Sequence, residues 1–226
     1  ENLDVLLGRG ISLAPEAIFQ KLVRDRRGGY CFEQNTLLLL VLRALGYRVT
    51  PIGARVRWQK PRDITPARTH LFLRVHLASG DWLTDVGLGS ASLTGALPLA
   101  FDRELATPHE KRRLVREDGR LFHQLWTGAA WADCCEFTLD EMFPIDCEVA
   151  NWWTSTSPVS HFKGGVVTGL AGRDGTRKAI REGEFTHRRG AEILAKVAIT
   201  SAPQLLALLA EHFELPFPAG TSFGPA

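Results

Sequence analysis

The sequence predicts an α+β protein: a helical segment, then a barrel-like run of antiparallel strands, then a mixed tail that closes with a helix. Three observations predict it. An aliphatic run of helical length, Leu37 to Leu45, ends at a glycine stop, Gly46. Two hairpin signals, Ala78-Ser79-Gly80-Asp81 and Asp118-Gly119, each separate β-patterned runs. Near the end, Ser201-Ala202-Pro203 has the form of a helix start. The parts are expected at 1–46, 47–150 and 151–226, the last as a mixed strand and helix lid.

In chain order, the first residues ENLDVLL carry no initiator Met and read as beginning inside an element, so the first part is expected to be incomplete. Ser12-Leu13-Ala14-Pro15-Glu16 is a helix-start signature, with proline near the first turn and an acid just inside it. That helix carries Ile18, Leu22 and Val23 and is expected to end in the solvated basic run Arg24 to Arg27. The next helix opens at Cys31 and is expected to be buried. Tyr47 to Trp58 alternates but holds Pro51 and Gly53, which predicts an irregular or edge strand. Lys60 to Thr69 reads as loop. His70 to Leu77 and Trp82 to Gly89 form the first hairpin, and Arg113 to Trp126 the second. Phe143 to Thr156 is expected to be a short helix with loop. Gly165 to Phe185 holds further strands about Arg173-Asp174-Gly175, and a last helix runs from Ser201 through Glu214.

Composition excludes several classes of function. The chain has 226 residues, 45% hydrophobic and 23% charged, which suits a globular protein with a real core. A net charge of +2 does not suggest a nucleic-acid or membrane surface. No signal peptide is evident, and Leu37 to Leu45 is too short to span a bilayer. Cys31, Cys134, Cys135 and Cys147 have neither metal-ligand nor disulfide-framework spacing, which favours a reducing cytoplasmic setting and no bound metal.

Chemistry first shows in RGGYCFEQN, Arg27 to Asn35. Most free cysteines are small core hydrophobes. Cys31, however, falls at the first turn of a helix, where free N–H groups and the macrodipole favour a thiolate over a thiol. Gly28 and Gly29 let backbone or ligand come close, so Cys31 reads as a nucleophile in need of a base. His70 is the best placed of the seven histidines, at a strand start and off the aliphatic face Leu71, Leu73, Val75 and Leu77. Asp85 sits within an apolar strand, where a carboxylate is costly to bury unpaired. A two-residue Ser79-Gly80 loop would set Asp85 opposite Arg74. Asp85 and His70 would then share a face but lie about four residues, roughly 13 Å, apart. An earlier turn or a bulge near Ala78 would bring them together. The spacing leaves both pairings, Asp85 with His70 or with Arg74, open.

The three motifs RGGYC, RTHLFLRV and TDVGLG resemble, in order and separation, those of the arylamine N-acetyltransferase family. The opening Glu1-Asn2-Leu3 and the segment Ala150 to Pro158 extend the likeness, which covers most of residues 1–165. The resemblance implies a cysteine-protease-like Cys-His-Asp core in which Cys31, His70 and Asp85 are catalytic. It implies acetyl-CoA as co-substrate, an amine as acceptor, and the metabolism of foreign amines. Tyr30, Phe32, Gly87 and Leu88 would bind substrate, and Asn151, Thr154 and Ser155 would meet CoA. Leu88 stands where the family usually has Phe, and Ser157 where its bacterial-type members have His. Glu1 matches an acid that pairs with the motif arginine, here Arg27.

The implied reaction carries an acetyl group from the CoA thioester to Cys31, and from there to an arylamine, hydrazine or hydroxylamine nitrogen. The same triad also serves amide synthases that close macrolactams and cysteine hydrolases, which stand as alternatives. Lys163 and Arg188 could meet phosphates, but charged residues are solvated by default.

Overall fold

The computed structural model describes residues 1–224. Its first part holds α1 (Leu3–Leu6), α2 (Pro15–Phe19) and α3 (Cys31–Ala44). The segment after α2 does not simply continue that helix. Gln20–Arg24 forms a π turn, from which Lys21 Nζ reaches Asp4 at 2.8 Å and Glu33 at 2.6 Å. α3 stops where its glycine predicts. Gly46 takes a φ of 85°, with its N–H on the Arg43 carbonyl and the Tyr47 N–H on that of Leu42. The helix buries one side, including Phe32, Asn35 and Leu39, while Val41 and Leu45 are exposed, so it is amphipathic rather than buried throughout.

The strands β1 (Arg48–Val56), β2 (His70–Leu77), β3 (Gly80–Thr84), β4 (Leu97–Pro98), β5 (Leu105–Ala106), β6 (Lys111–Glu117), β7 (Arg120–Trp126) and β8 (Trp131–Glu141) make one sheet. Its order is β4-β3-β2-β1-β8-β7-β6-β5, with antiparallel pairing throughout. Phe101, just beyond β4, bridges to Leu114 of β6, so the two ends of the sheet meet and the barrel nearly closes. Phe72, Leu83, Leu97, Leu114, Leu125 and Phe137 fill its interior.

β1 corrects an expectation: it is central, between β2 and β8, and not an edge. Pro51 is tolerated because it sits where β8 runs out. Its carbonyl accepts the Met142 N–H at 2.8 Å, so the donor that proline lacks would also have faced the end of that ladder. Gly53 leaves room for the Arg68 guanidinium, which passes over the strand.

Beyond the barrel, α4 (Pro144–Thr156) is one continuous helix rather than a helix with loop. Residue 150, where the sequence suggests a division, lies inside it. Then β9 (Thr168–Ala171), β10 (Thr176–Arg181), β11 (Glu184–Arg189) and β12 (Glu192–Ala198) form a four-stranded antiparallel sheet, followed by α5 (Ala202–Phe213). Ile180 and Phe185 of that sheet pack with Leu209 and Phe213 of α5 and with Leu3 of α1, so both ends of the chain share a core.

Candidate active site

Cys31 is the first residue of α3 and is buried. Tyr30 before it is extended, at φ −99° and ψ −172°, and its N–H donates to Glu33 Oε2 at 3.1 Å. The Glu33 carboxylate thus closes the helix start, as an acid in the first turn should. This explains Gly29 differently from the sequence reading. A Cβ at Gly29 would stand 2.7 Å from Glu33 Oε2, and one at Gly28 would stand 2.4 Å from Glu1 Cγ. The glycine pair therefore makes room for two carboxylates, and both glycines also line the cavity onto which Cys31 opens. Arg27 joins the same network, with Nη2 3.0 Å from Asp4 Oδ1 and 3.6 Å from Glu1 Oε1.

The hairpin turn falls earlier than the two-residue Ser79-Gly80 loop would put it. Leu77 pairs with Gly80 and Leu73 with Thr84, after which β3 ends and the chain turns away. Continued, this register would set Asp85 opposite Phe72, two residues from His70 instead of four. Leaving the strand closes the remaining gap. His70 Nε2 lies 2.9 Å from Asp85 Oδ2, and both side chains are buried. Arg74 takes Asp81 instead, through Nε at 2.8 Å. The other Asp85 oxygen accepts from Asn35 Nδ2 and from the Gly87 N–H, each at 2.8 Å. Asn35 also donates to the Leu71 carbonyl at 2.7 Å, which ties α3, β2 and the turn after β3 together.

With Nε2 on Asp85, Nδ1 of His70 is the ring nitrogen left to serve Cys31, which lines the same cavity. Cys31 Sγ is also 3.6 Å from the Thr69 carbonyl. Burial alone would strip His70 of its proton. The Asp85 carboxylate, with Cys31 adding charge and a hydrogen bond, outweighs burial and pushes the imidazole up to about 10. Burial likewise works against the Asp85 charge, but the His70 cation, Asn35 and Gly87 hold its carboxyl below the usual range. Burial pushes the thiols of Cys134 and Cys147 up, to about 12 and about 11.

Cys31 and His70 open onto a cavity of about 410 Å³, within the range of small-molecule sites. Tyr30, Gly87 and Leu88 line it, together with Trp58, Trp153 and Phe162. Gly87 touches the nucleophile's backbone: a Cβ there would come within 2.5 Å of Cys31 Cα. Phe32 does not line the cavity; it is fully buried in the core beside Tyr30. Asn151, Thr154 and Ser155 do not line it either. Asn151 holds Tyr30 and the Ile11 carbonyl, Thr154 is buried, and Ser155 Oγ donates to the Asn151 carbonyl at 2.8 Å. Lys163 and Arg188 also lie outside the lining, whereas Lys60 and Arg181 are in it. The sequence reading also missed His123, a buried histidine in contact with Phe72 behind His70, and the buried arginines Arg57, Arg112 and Arg177. Among the described residues no group of three His, Cys, Asp or Glu side chains could hold a metal ion. No helix among them is long and apolar enough to cross a membrane.

Comparison with known proteins bears on the whole chain. An N-acetyltransferase family model matches residues 1–221. The arylamine N-acetyltransferase of Escherichia coli (strain K12) is 35% identical over 215 residues, 95% of this chain and 76% of that protein. That of Mycolicibacterium smegmatis is 38% identical, covering 94% of this chain and 78% of its own. The solved structure of Mycobacterium marinum arylamine N-acetyltransferase in complex with CoA superposes with a TM-score of 0.90 at 34% identity, over 95% of this chain and 80% of that one.

Proposed function

The chain belongs to the arylamine N-acetyltransferase family, and from that premise we propose that Cys31, His70 and Asp85 carry its reaction as nucleophile, base and orienter. It is an acyltransferase that moves an acetyl group from acetyl-CoA to an arylamine nitrogen. The comparisons do not favour the amide-synthase or hydrolase alternatives.

The observation that carries the assignment is the buried Asp85–His70 pair at 2.9 Å, with His70 and Cys31 lining the same cavity. In the first half of the reaction the Cys31 thiolate attacks the thioester carbonyl. The bond from that carbon to the CoA sulfur breaks, and the departing thiolate takes the His70 proton. In the second half an amine attacks acetyl-Cys31. Nδ1 of His70 accepts the amine proton, and Cys31 leaves as the thiolate it was. Asp85 keeps the other proton on Nε2 and stabilises the imidazolium, without itself being protonated. Acyl transfer from thioester to amide is downhill, so the cavity serves chiefly to keep water from acetyl-Cys31.

The CoA complex of the M. marinum relative supports CoA as the donor's carrier here. Arylamines, hydrazines and hydroxylamines share the unprotonated nitrogen that the second step needs, and all three are proposed as acceptors. A cytoplasmic site of action is proposed with them. The test is intact-mass spectrometry after mixing with acetyl-CoA, expected to add one acetyl group at Cys31 that a later pulse of arylamine removes. No adduct, or an adduct on another residue, would overturn the assignment.

A further inference from the structure

The loop that follows β3 lines the cavity from Val86 to Ser92. It is closed at its base by the Leu93 N–H on the Asp85 carbonyl at 3.0 Å, and its far end turns on the Ser92 N–H to Gly89 carbonyl bond at 3.1 Å. One side rests on the nucleophile's helix at Gly87. The other side rests on the C-terminal sheet, where Gly169 of β9 lies so near that a Cβ there would be 2.4 Å from the Ser90 nitrogen. The loop is clasped between two parts of the molecule that the sequence keeps far apart.

A buried ion cluster ties the barrel sheet to the same C-terminal sheet. Glu110 accepts Arg112 Nε at 2.9 Å from within the barrel sheet, and Arg177 Nε at 2.9 Å and Nη2 at 2.7 Å from β10 of the C-terminal sheet. The three side chains are 5%, 0% and 2% exposed. Two buried cations around one carboxylate need a further acceptor, and they share one: the Ser92 carbonyl, which takes Arg177 Nη2 at 2.9 Å and Arg112 Nη2 at 3.3 Å. His109 adds a second tie between the parts, with one ring nitrogen 3.0 Å from Thr94 Oγ1, just after the loop, and the other 2.9 Å from the Gly172 carbonyl. A cluster serving stability alone would not have to converge on the backbone of a cavity-lining loop.

We propose that Glu110, Arg112 and Arg177 are positioning residues that hold the Val86–Ser92 loop between the two sheets, so that the C-terminal sheet sets the acceptor side of the cavity. Asp85 and the near end of the loop have their own tie to the nucleophile's helix, since Asn35 donates to Asp85 Oδ1 at 2.8 Å and accepts the Val86 N–H at 3.0 Å. The cluster therefore governs the wall around Leu88 and not the triad. The proposal rests on the reading of Cys31 as the acylated residue.

The test separates wall from triad. Acylation of Cys31 by p-nitrophenyl acetate, a small activated ester, reports on the triad, and the KM for an arylamine acceptor reports on the wall. Arg177→Lys keeps the charge but gives up the fork that reaches Ser92. It is expected to raise the acceptor KM more than threefold while the acylation rate per folded molecule stays within twofold of the parent. Gly169→Ala displaces the same loop without touching the cluster and is expected to give the same split, which keeps the test open if Arg177→Lys does not fold. An acceptor KM within threefold of the parent, or acylation and acceptor turnover falling together, would overturn the proposal. If the parent itself shows no p-nitrophenyl acetate adduct at Cys31, the active-site assignment fails instead.

Discussion

Replacing Asp85 by Asn tests the electrostatics of the triad with little change of shape. His70 is held at about 10 against an ordinary 6.5 in a fully buried position, which corresponds to about 5 kcal/mol in favour of the imidazolium. Asp85 is the largest contributor to that rise, and burial opposes it. With an uncharged amide, burial would face only Cys31, and the imidazole would become neutral in the physiological range. The tautomer would also invert. The carbonyl of the new amide would keep the bonds from Asn35 and Gly87, so its NH2 would point at His70 Nε2 and move the imidazole proton to Nδ1, facing the sulfur. A histidine that donates toward the cysteine cannot take a proton from it. By analogy with serine triads, the acylation rate should fall by roughly 10³–10⁴-fold. Rapid-quench intact-mass measurement of acetyl-Cys31 gives that rate, and a thermal melt confirms that the fold survives. Acylation within tenfold of the parent in a folded Asp85→Asn protein would refute the reasoning.

Three further outcomes follow from single contacts. Gly87→Ala would drive a methyl to within 2.5 Å of Cys31 Cα, so it should cost about 1–3 kcal/mol in urea denaturation and slow acylation by more than its effect on stability explains. His123 is buried neutral, and burial, with Arg112 beside it, lowers it to about 3. Its stabilising contribution is therefore complete above the unfolded value of 6.5 and is lost as pH falls below it, about 2 kcal/mol by pH 5. Denaturation at pH 7 and pH 5 should show that loss in the parent and not in His123→Gln, and equal pH dependence in the two would exclude it. Leu88→Phe puts an aromatic face on the cavity wall and should shift acceptor preference toward small anilines by roughly threefold to tenfold, with acylation little changed. Unchanged ratios in competition assays would show that this wall does not meet the acceptor.

The parts of the site that were legible are those whose chemistry is local in sequence. The glycine pair, the cysteine and the helix behind it sit within a few positions of one another, and a single hairpin joins the strand start at His70 to Asp85. The hairpin misled by a single step: with Leu77 opposite Gly80, the loop is Ala78-Ser79, and the acid lies two residues from the histidine instead of four. Turn chemistry at Ser79-Gly80 cannot fix which of two adjacent loops forms, because glycine suits either place. β1 misled for a related reason. Proline and glycine are edge signals only if their neighbours extend past them, and β8 stops level with Pro51.

The buried charges were illegible on different grounds. Arg57 and Arg177 look like solvated residues in any short window, since the carboxylates that justify burying them are distant, and Glu110, two positions from Arg112, is shared with Arg177. Arg57 takes Glu136, 79 positions away, and Arg177 takes Glu110, 67 positions away. An isolated guanidinium is too costly to bury, so each such pair records a tertiary contact that had to exist first. Arg57 also donates to the Pro61 and Ile64 carbonyls, fixing the stretch that leads to His70, as Arg177 fixes the Ser92 carbonyl of the cavity-lining loop. Both buried arginines thus end on backbone carbonyls of loops, where hydrophobic packing has no purchase. A loop at the cavity must stay put without filling the space the substrate needs. Long cations anchored on distant carboxylates achieve this from behind the wall, which is why the sequence around the motifs shows the catalytic chemistry but not what holds it in place.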